Sequence, residues 1–151
     1  MRIRIEITEG TEEPEVIIRC RELTPEIHAI QSAITEKTLK LPKMIFYKGR
    51  EEYYFPVCEV LFFETDNDTV FAHTASDIFK TEFKLYELQK FLPGKFVRIS
   101  KSAIVNTSCI LSISKNITAS SLIKFHKSHK QVYVSRLYYK ELKQKLSERN
   151  I

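Results

Sequence analysis

Apolar runs of four or five residues, rarely longer, dominate the C-terminal part of this 151-residue chain: FVRIS, AIVN, CILSI, SLIKF and QVYVS follow one another from residue 96 to residue 135. Runs of this length, rich in β-branched and aromatic residues and bounded by turn formers, read as short strands. The region before them has the same grain. MIFYKGREEYYFP reads as a hairpin with Lys48-Gly49-Arg50 at its turn. Glu59 to Glu64 reads as a largely buried strand, Asp66-Asn67-Asp68 as a turn, and Thr69 to Thr74 as the returning strand. Only two helices interrupt this pattern. A short one over Phe83 to Leu92 carries Leu85, Leu88 and Leu92 on one stripe and stops at Pro93-Gly94. A C-terminal one starts near Ser135 and runs through LYYKELKQKL with Leu142 and Leu146 inward. Strands and helices do not alternate as a parallel sheet requires. The expected fold is mainly β, built of short antiparallel strands with one internal and one C-terminal helix.

The first 40 residues read as a separate appendage. Ile3, Ile5 and Ile7 alternate with charged residues as in a half-buried strand, and Val16 to Cys20 reads as its return partner. Thr24-Pro25-Glu26 then opens a helix, with a capping hydroxyl, a proline suited to the first helical position and an acid at the positive dipole end. Ile27, Ile30 and Ile34 fall on one face of it. The expected division is a ββα element over 1–40, serving dimerisation or regulation, and a main domain over 41–151.

Composition narrows the class. No run approaches the roughly 18 apolar residues of a membrane span, and MRIRIEITEGTEEPE is too charged for a signal peptide. A cytoplasmic protein is expected. Cys20, Cys58 and Cys109 are odd in number and widely spaced, which suits idle thiols rather than a disulfide framework. The charge is uneven. Residues 1–94 hold 12 Lys/Arg against 17 Asp/Glu, whereas residues 95–151 hold 12 Lys/Arg against only Glu141 and Glu148. Such a basic segment attracts phosphates, of nucleic acid or of a membrane surface.

Enzyme readings find no support. The glycines at 10, 49 and 94 form no phosphate-cradling loop, and no serine sits in a nucleophile elbow. His126 and His129 could ligate a metal, but lysines surround them and no Cys or carboxylate completes a set. Neither a metal nor a cofactor is expected.

The informative stretch is FVRISKSAIVN, residues 96–106. Arg98 and Ser100 share one strand face, opposite Val97 and Ile99, and Lys101 and Ser102 follow at the strand end. A guanidinium, an ammonium and two hydroxyls gather with no carboxylate to pair with them, so they must reach water or an anion. Arg and Lys can bind guanine edges or phosphate. Ser102 and Asn106 could instead satisfy backbone groups at the turn. VSRLYYKELKQKL is the second candidate. Arg136 falls in the first turn of a helix, where a cation gains nothing from the dipole unless it points at an anion. Tyr138, Tyr139 and Lys140 could add phosphate contacts, with packing the competing role for the tyrosines.

These two motifs resemble those of LytTR DNA-binding domains: FVRISKSAIVN resembles the family signature of Phe, a hydrophobic residue and Arg followed by Ser and Val-Asn, and VSRLYYKELKQKL resembles its terminal Val-Ser-Arg motif and following helix. The resemblance covers about residues 43–147. It implies an elongated arrangement of short antiparallel strands that binds paired direct repeats in promoters, with loops entering two successive major grooves. By position it implies contacts from Asp66, Asn67 and Asp68, with Asn67 the best candidate of the three, from Ser100 and Lys101, and from Arg136. Arg98, Tyr139 and Lys140 complete the expected DNA-binding set. The first loop is short and acidic here, a departure from the pattern. About 40 residues precede the domain, too few for a receiver, so the chain resembles the stand-alone regulators. A homodimer on promoter DNA is expected, and a membrane-bound inhibitor protein is a further implied partner. The alternative reading is a basic protein–protein or membrane-surface module.

Overall fold

The computed structural model describes residues 16–38 and 44–149. The chain divides into two compact units, Met1–Leu39 and Lys40–Ile151. In the first, α1 (Pro25–Thr38) begins as its sequence dictates: Thr24 Oγ1 accepts a hydrogen bond from the Ile27 amide at 3.4 Å, and the Thr24 carbonyl accepts from the His28 amide at 3.1 Å. Ile27, Ile30 and Ile34 are its half-buried residues on one face. The expected strand over residues 2–7 lies outside the described residues. Val16–Cys20 is not a strand, contrary to expectation: it is exposed, and no strand pairs with it among the described residues.

The second unit opens with a tight hairpin of β1 (Phe46–Lys48) and β2 (Glu51–Tyr53). Lys48 pairs with Glu51, so Gly49-Arg50 is the whole loop, and Gly49 supplies the positive φ of +62° that it needs. A 3-10 turn over Val57–Glu59 leads to β3 (Phe62–Asp66), β4 (Thr69–His73) and β5 (Ile78–Thr81). The strand expected from Glu59 therefore starts at Phe62. Glu59 closes the 3-10 turn, and the buried side-chain amide of Asn106 donates to the carbonyls of Cys58 (3.3 Å) and Val60 (3.0 Å), while Leu61 already bonds His73 and Asn106 through its backbone. β5 was not expected at all; its four residues alternate exposed and buried too briefly to announce a strand.

Next come α2 (Leu85–Phe91), β6 (Phe96–Ser100) and β7 (Ala103–Asn106). Leu92 is extended and caps α2, so that helix is shorter at both ends than the expected Phe83 to Leu92. After a 3-10 turn, β8 (Ile110–Ser114), β9 (Ser121–Phe125) and β10 (Gln131–Val134) run into α3 (Arg136–Arg149). The strands form two antiparallel sheets, one of seven in the order β2-β1-β5-β4-β3-β7-β6 and one of three in the order β10-β9-β8.

The large sheet has a core on each face, because neighbouring residues of β3 and β7 point opposite ways. On one face Phe62, Val97, Ile99 and Val105 pack with Ile123, Phe125, Val132 and Val134 of the small sheet and with Leu142 of α3. On the other, Phe46, Phe63, Val70, Phe79 and Ile104 pack with Leu85 and Leu88 of α2. All four residues of β7 are buried, which explains why AIVN shows no polar alternation.

Candidate nucleic-acid interface

Sheet order brings the separated motifs to one end of the second unit. β3 runs antiparallel to β7, with Glu64 opposite Ala103, so the turn after β3 and the turn before β7 are neighbours. The Thr65 amide donates to the Ser102 carbonyl at 2.8 Å and ties them together. The first turn is a two-residue loop. Asp66 pairs with Thr69, and Asn67 and Asp68 both adopt positive φ, 46° and 65°, as a type I′ hairpin demands. Asn and Asp tolerate this region better than other non-glycine residues, because their short polar side chains bond locally. Both side chains are exposed. Lys84 Nζ donates to the Asp68 carbonyl and braces the loop from the side of α2.

The second turn is shaped by its own serine and by Arg98. Ser100 Oγ accepts from the Ser102 amide at 3.1 Å. The ladder shifts register between Arg98 and Ser100, a bulge of the kind that re-aims a loop. Arg98 Nε donates to the Ser100 carbonyl at 2.6 Å, Nη2 to the Lys101 carbonyl and Nη1 to Gln89 Oε1 at 2.9 Å. Its guanidinium fork is therefore engaged inside the chain. Lys101, between those two serines, projects into solvent.

The third element is the start of α3. The Ser135 amide donates to the Ile99 carbonyl at 2.8 Å, one residue before Ser100, and this pins the helix start beside the second turn. The Ser135 carbonyl accepts from the Tyr138 and Tyr139 amides at 3.1 and 3.0 Å. Arg136 and Lys140 are exposed. Tyr138 and Tyr139 are partly buried and pack on the core that contains Leu142. The Tyr139 ring also carries Lys115 Nζ 5.5 Å from its centre.

Asn67, Asp68, Arg98, Ser100, Lys101 and Arg136 thus share one end of the unit, with Tyr139 and Lys140 one helical turn further on. Among the described residues the ion pairs of lysines are Lys48–Asp77 at 2.6 Å and Lys145–Glu148 at 4.0 Å; none involves Lys101, Arg136 or Lys140. Lys84, Gln89 and Lys115 take part in building this end and were not picked out from the sequence. No motif marked them, since each meets its partner only where the fold packs one element against another. The opposite end of the unit is a brace. Lys48 holds the Asp77 carboxylate, which lies below the usual range because of that hydrogen bond, and Lys130 Nζ and Ser128 Oγ reach the carbonyls of Asp77 and Ala75. His126 and His129 sit on the hairpin there, exposed, and no group of three His, Cys, Asp or Glu gathers to hold a metal among the described residues. The thiols of Cys20 and Cys58 are exposed and in no disulfide.

The second unit is a two-sheet antiparallel domain that presents two tight turns and a helix start at one end, with cations that have no acidic partner among the described residues. The LytTr DNA-binding domain family model matches residues 50–147, and the chain belongs to the LytTR family. Two uncharacterised HTH-type transcriptional regulators of Staphylococcus aureus, one from a bovine strain and one from strain COL, are each 31% identical over 148 residues, which is 97% of this chain and 99% of theirs. The LytTr DNA-binding domain of a Bacillus cereus protein matches the fold with a TM-score of 0.62 and 19% identity, covering 68% of this chain and 95% of that one. The name of the Staphylococcus relatives specifies a helix-turn-helix. Among the described residues no two helices follow one another across a short turn, because strands separate α1, α2 and α3. No helix among them is long and apolar enough to cross a membrane.

Proposed function

We propose that the protein is a cytoplasmic transcriptional regulator that reads double-stranded promoter DNA with the end of the second unit that carries Lys101 and Arg136. One observation carries this: hydrogen bonds from Thr65 to Ser102 and from Ser135 to Ile99 unite three exposed segments whose cations have no ion-pair partner among the described residues. Lys101 and Arg136 supply donors for guanine edges or phosphate, and Asn67 can pair with adenine. Asp68 repels phosphate and is suited to accept from the cytosine amino group. Ser100, Tyr139 and Lys140 contribute contacts to the backbone. Arg98 acts through the Lys101 turn, whose carbonyls it holds. In this reading the turns enter successive major grooves of direct repeats, and a second copy occupies the neighbouring repeat. Self-association through the first unit and restraint by a membrane-bound inhibitor are compatible with it.

Anisotropy titrations on a promoter duplex test the assignment. Lys101→Ala and Arg136→Ala are each expected to lose about 1–3 kcal/mol of binding and to relax discrimination between bases. Wild-type affinity in both variants sinks it. The basic excess after residue 95 also suits a protein–protein or membrane-surface module. Equal binding to promoter DNA, scrambled DNA and anionic vesicles would select that reading, because phosphate attraction alone carries no sequence information.

A further inference from the structure

Of the segment 115–120, Lys-Asn-Ile-Thr-Ala-Ser, only Lys115 has entered the interface so far, as the cation over the Tyr139 ring. It joins β8 to β9, and the small sheet delivers it to the same end of the unit. Ser121, the first residue of β9, pairs with Val134, the last of β10, and Val134 leads through Ser135 to Arg136. The ammonium of Lys115 over the Tyr139 ring marks where the loop meets α3. All six residues are exposed. They offer an ammonium, an amide and two hydroxyls, and no carboxylate. Lys115 enters no ion pair among the described residues. The loop is also held in shape. The Asn116 amide donates to Ser121 Oγ at 3.1 Å, and the Thr118 amide and hydroxyl donate to Asn116 Oδ1 at 3.1 and 3.2 Å. An ordered loop has little conformational entropy left to lose on binding.

We propose that loop 115–120 is an additional DNA contact, in which Lys115 binds a phosphate beside the bases reached by Arg136. It rests on the reading of the Lys101–Arg136 end as the DNA interface. An ammonium on a flexible stem suits a phosphate better than a base edge, where a planar fork has the advantage. Lys115 therefore adds affinity without sequence preference.

The test uses the full-length protein, a duplex recovered by in vitro selection, and the same duplex scrambled, titrated over a range of salt concentrations. Lys115→Ala is expected to weaken both duplexes by a similar factor, about fivefold near 0.15 M salt, and to make the slope of log K against log salt shallower by about 0.9. The ratio between the duplexes stays unchanged, and Lys115→Arg restores the wild-type slope. Ile117→Asp, at a position 82% exposed in the same loop, places a carboxylate toward the duplex and is expected to weaken both duplexes as well. An unchanged slope in Lys115→Ala overturns the proposal, even if affinity falls, because Lys115 would then act only by packing on Tyr139. A changed ratio overturns it too, since the contact would be to a base. If the wild-type protein fails to distinguish the two duplexes, the underlying interface reading fails. If it distinguishes them and loses this with Lys101→Ala while Lys115→Ala is silent, the loop alone is rejected.

Discussion

At the scale of single residues, several polar groups in the second unit serve shape. Asn106 is fully buried and binds two carbonyls through its amide, while its oxygen accepts from the Ser108 amide at 3.1 Å. Arg98 spends its donors on the turn around Lys101. His73 is stacked on Phe62 with ring centres 4.2 Å apart, and burial, helped by nearby Lys130, pushes its pKa down to about 4. Glu64 Oε2 lies 3.5 Å from its Nε2, yet at neutral pH the imidazole is uncharged, so this contact is not an ion pair. The consequence for stability has a definite sign. Above pH 6.5 His73 is neutral in both folded and unfolded chains. As pH falls from 6.5 towards 4, the unfolded chain takes up a proton that the folded one refuses, and stability declines by up to about 3 kcal/mol. His73→Phe keeps the ring stack and is expected to remove this part of the decline, read as a smaller shift of the urea midpoint between pH 7 and pH 4.5.

At the scale of elements, the turns are the informative pieces. The Asn67-Asp68 loop requires left-handed backbone at both positions, a conformation that β-branched residues adopt at a cost of about 1–2 kcal/mol. Asp68→Val is therefore expected to lower stability by that amount. Asp68→Gly is expected to leave it unchanged or raise it by up to about 1 kcal/mol, since Asn-Gly is a favoured pair for this turn. Urea midpoints of the two variants check both signs. The result also separates the fold from the contact, because the glycine variant keeps the loop and removes the carboxylate. The β6–β7 turn was legible as a cluster of donors in FVRISKSAIVN, but the role of each was not. Period-two alternation puts Arg98 on the polar face; it does not say that the bulge after it turns the Ser100 and Lys101 carbonyls within its reach. The C-terminal helix was expected to start near Ser135. The Ser135 amide anchors to Ile99 and its carbonyl receives the first helical amides, so its main chain sets the helix start.

At the scale of the whole molecule, charge and connectivity divide the work. The acidic excess lies before residue 95 and the basic excess after it. The second unit has two cores of its own, one on each face of the large sheet. If the first unit serves self-association through the stripe of Ile27, Ile30 and Ile34, deleting residues 1–39 leaves single-site DNA binding intact and lowers cooperative occupancy of two adjacent sites. Band patterns in a gel shift on a two-site duplex report this, and unchanged cooperativity excludes the role.

The one-dimensional pattern determined the mainly β class, most of the hairpins and both signature motifs, because strand alternation and turn chemistry are local and each fits within about ten residues. It could not show β5, whose four residues earn their place only between β4 and β1, nor the 3-10 turn before β3, where an asparagine more than forty residues away holds the carbonyls of Cys58 and Val60. The meeting of the Asn67 turn, the Lys101 turn and Arg136 was decided by tertiary structure alone. It follows from β3 lying beside β7 and from one hydrogen bond between Ser135 and Ile99, and pairings between distant strands leave no periodic trace in the chain.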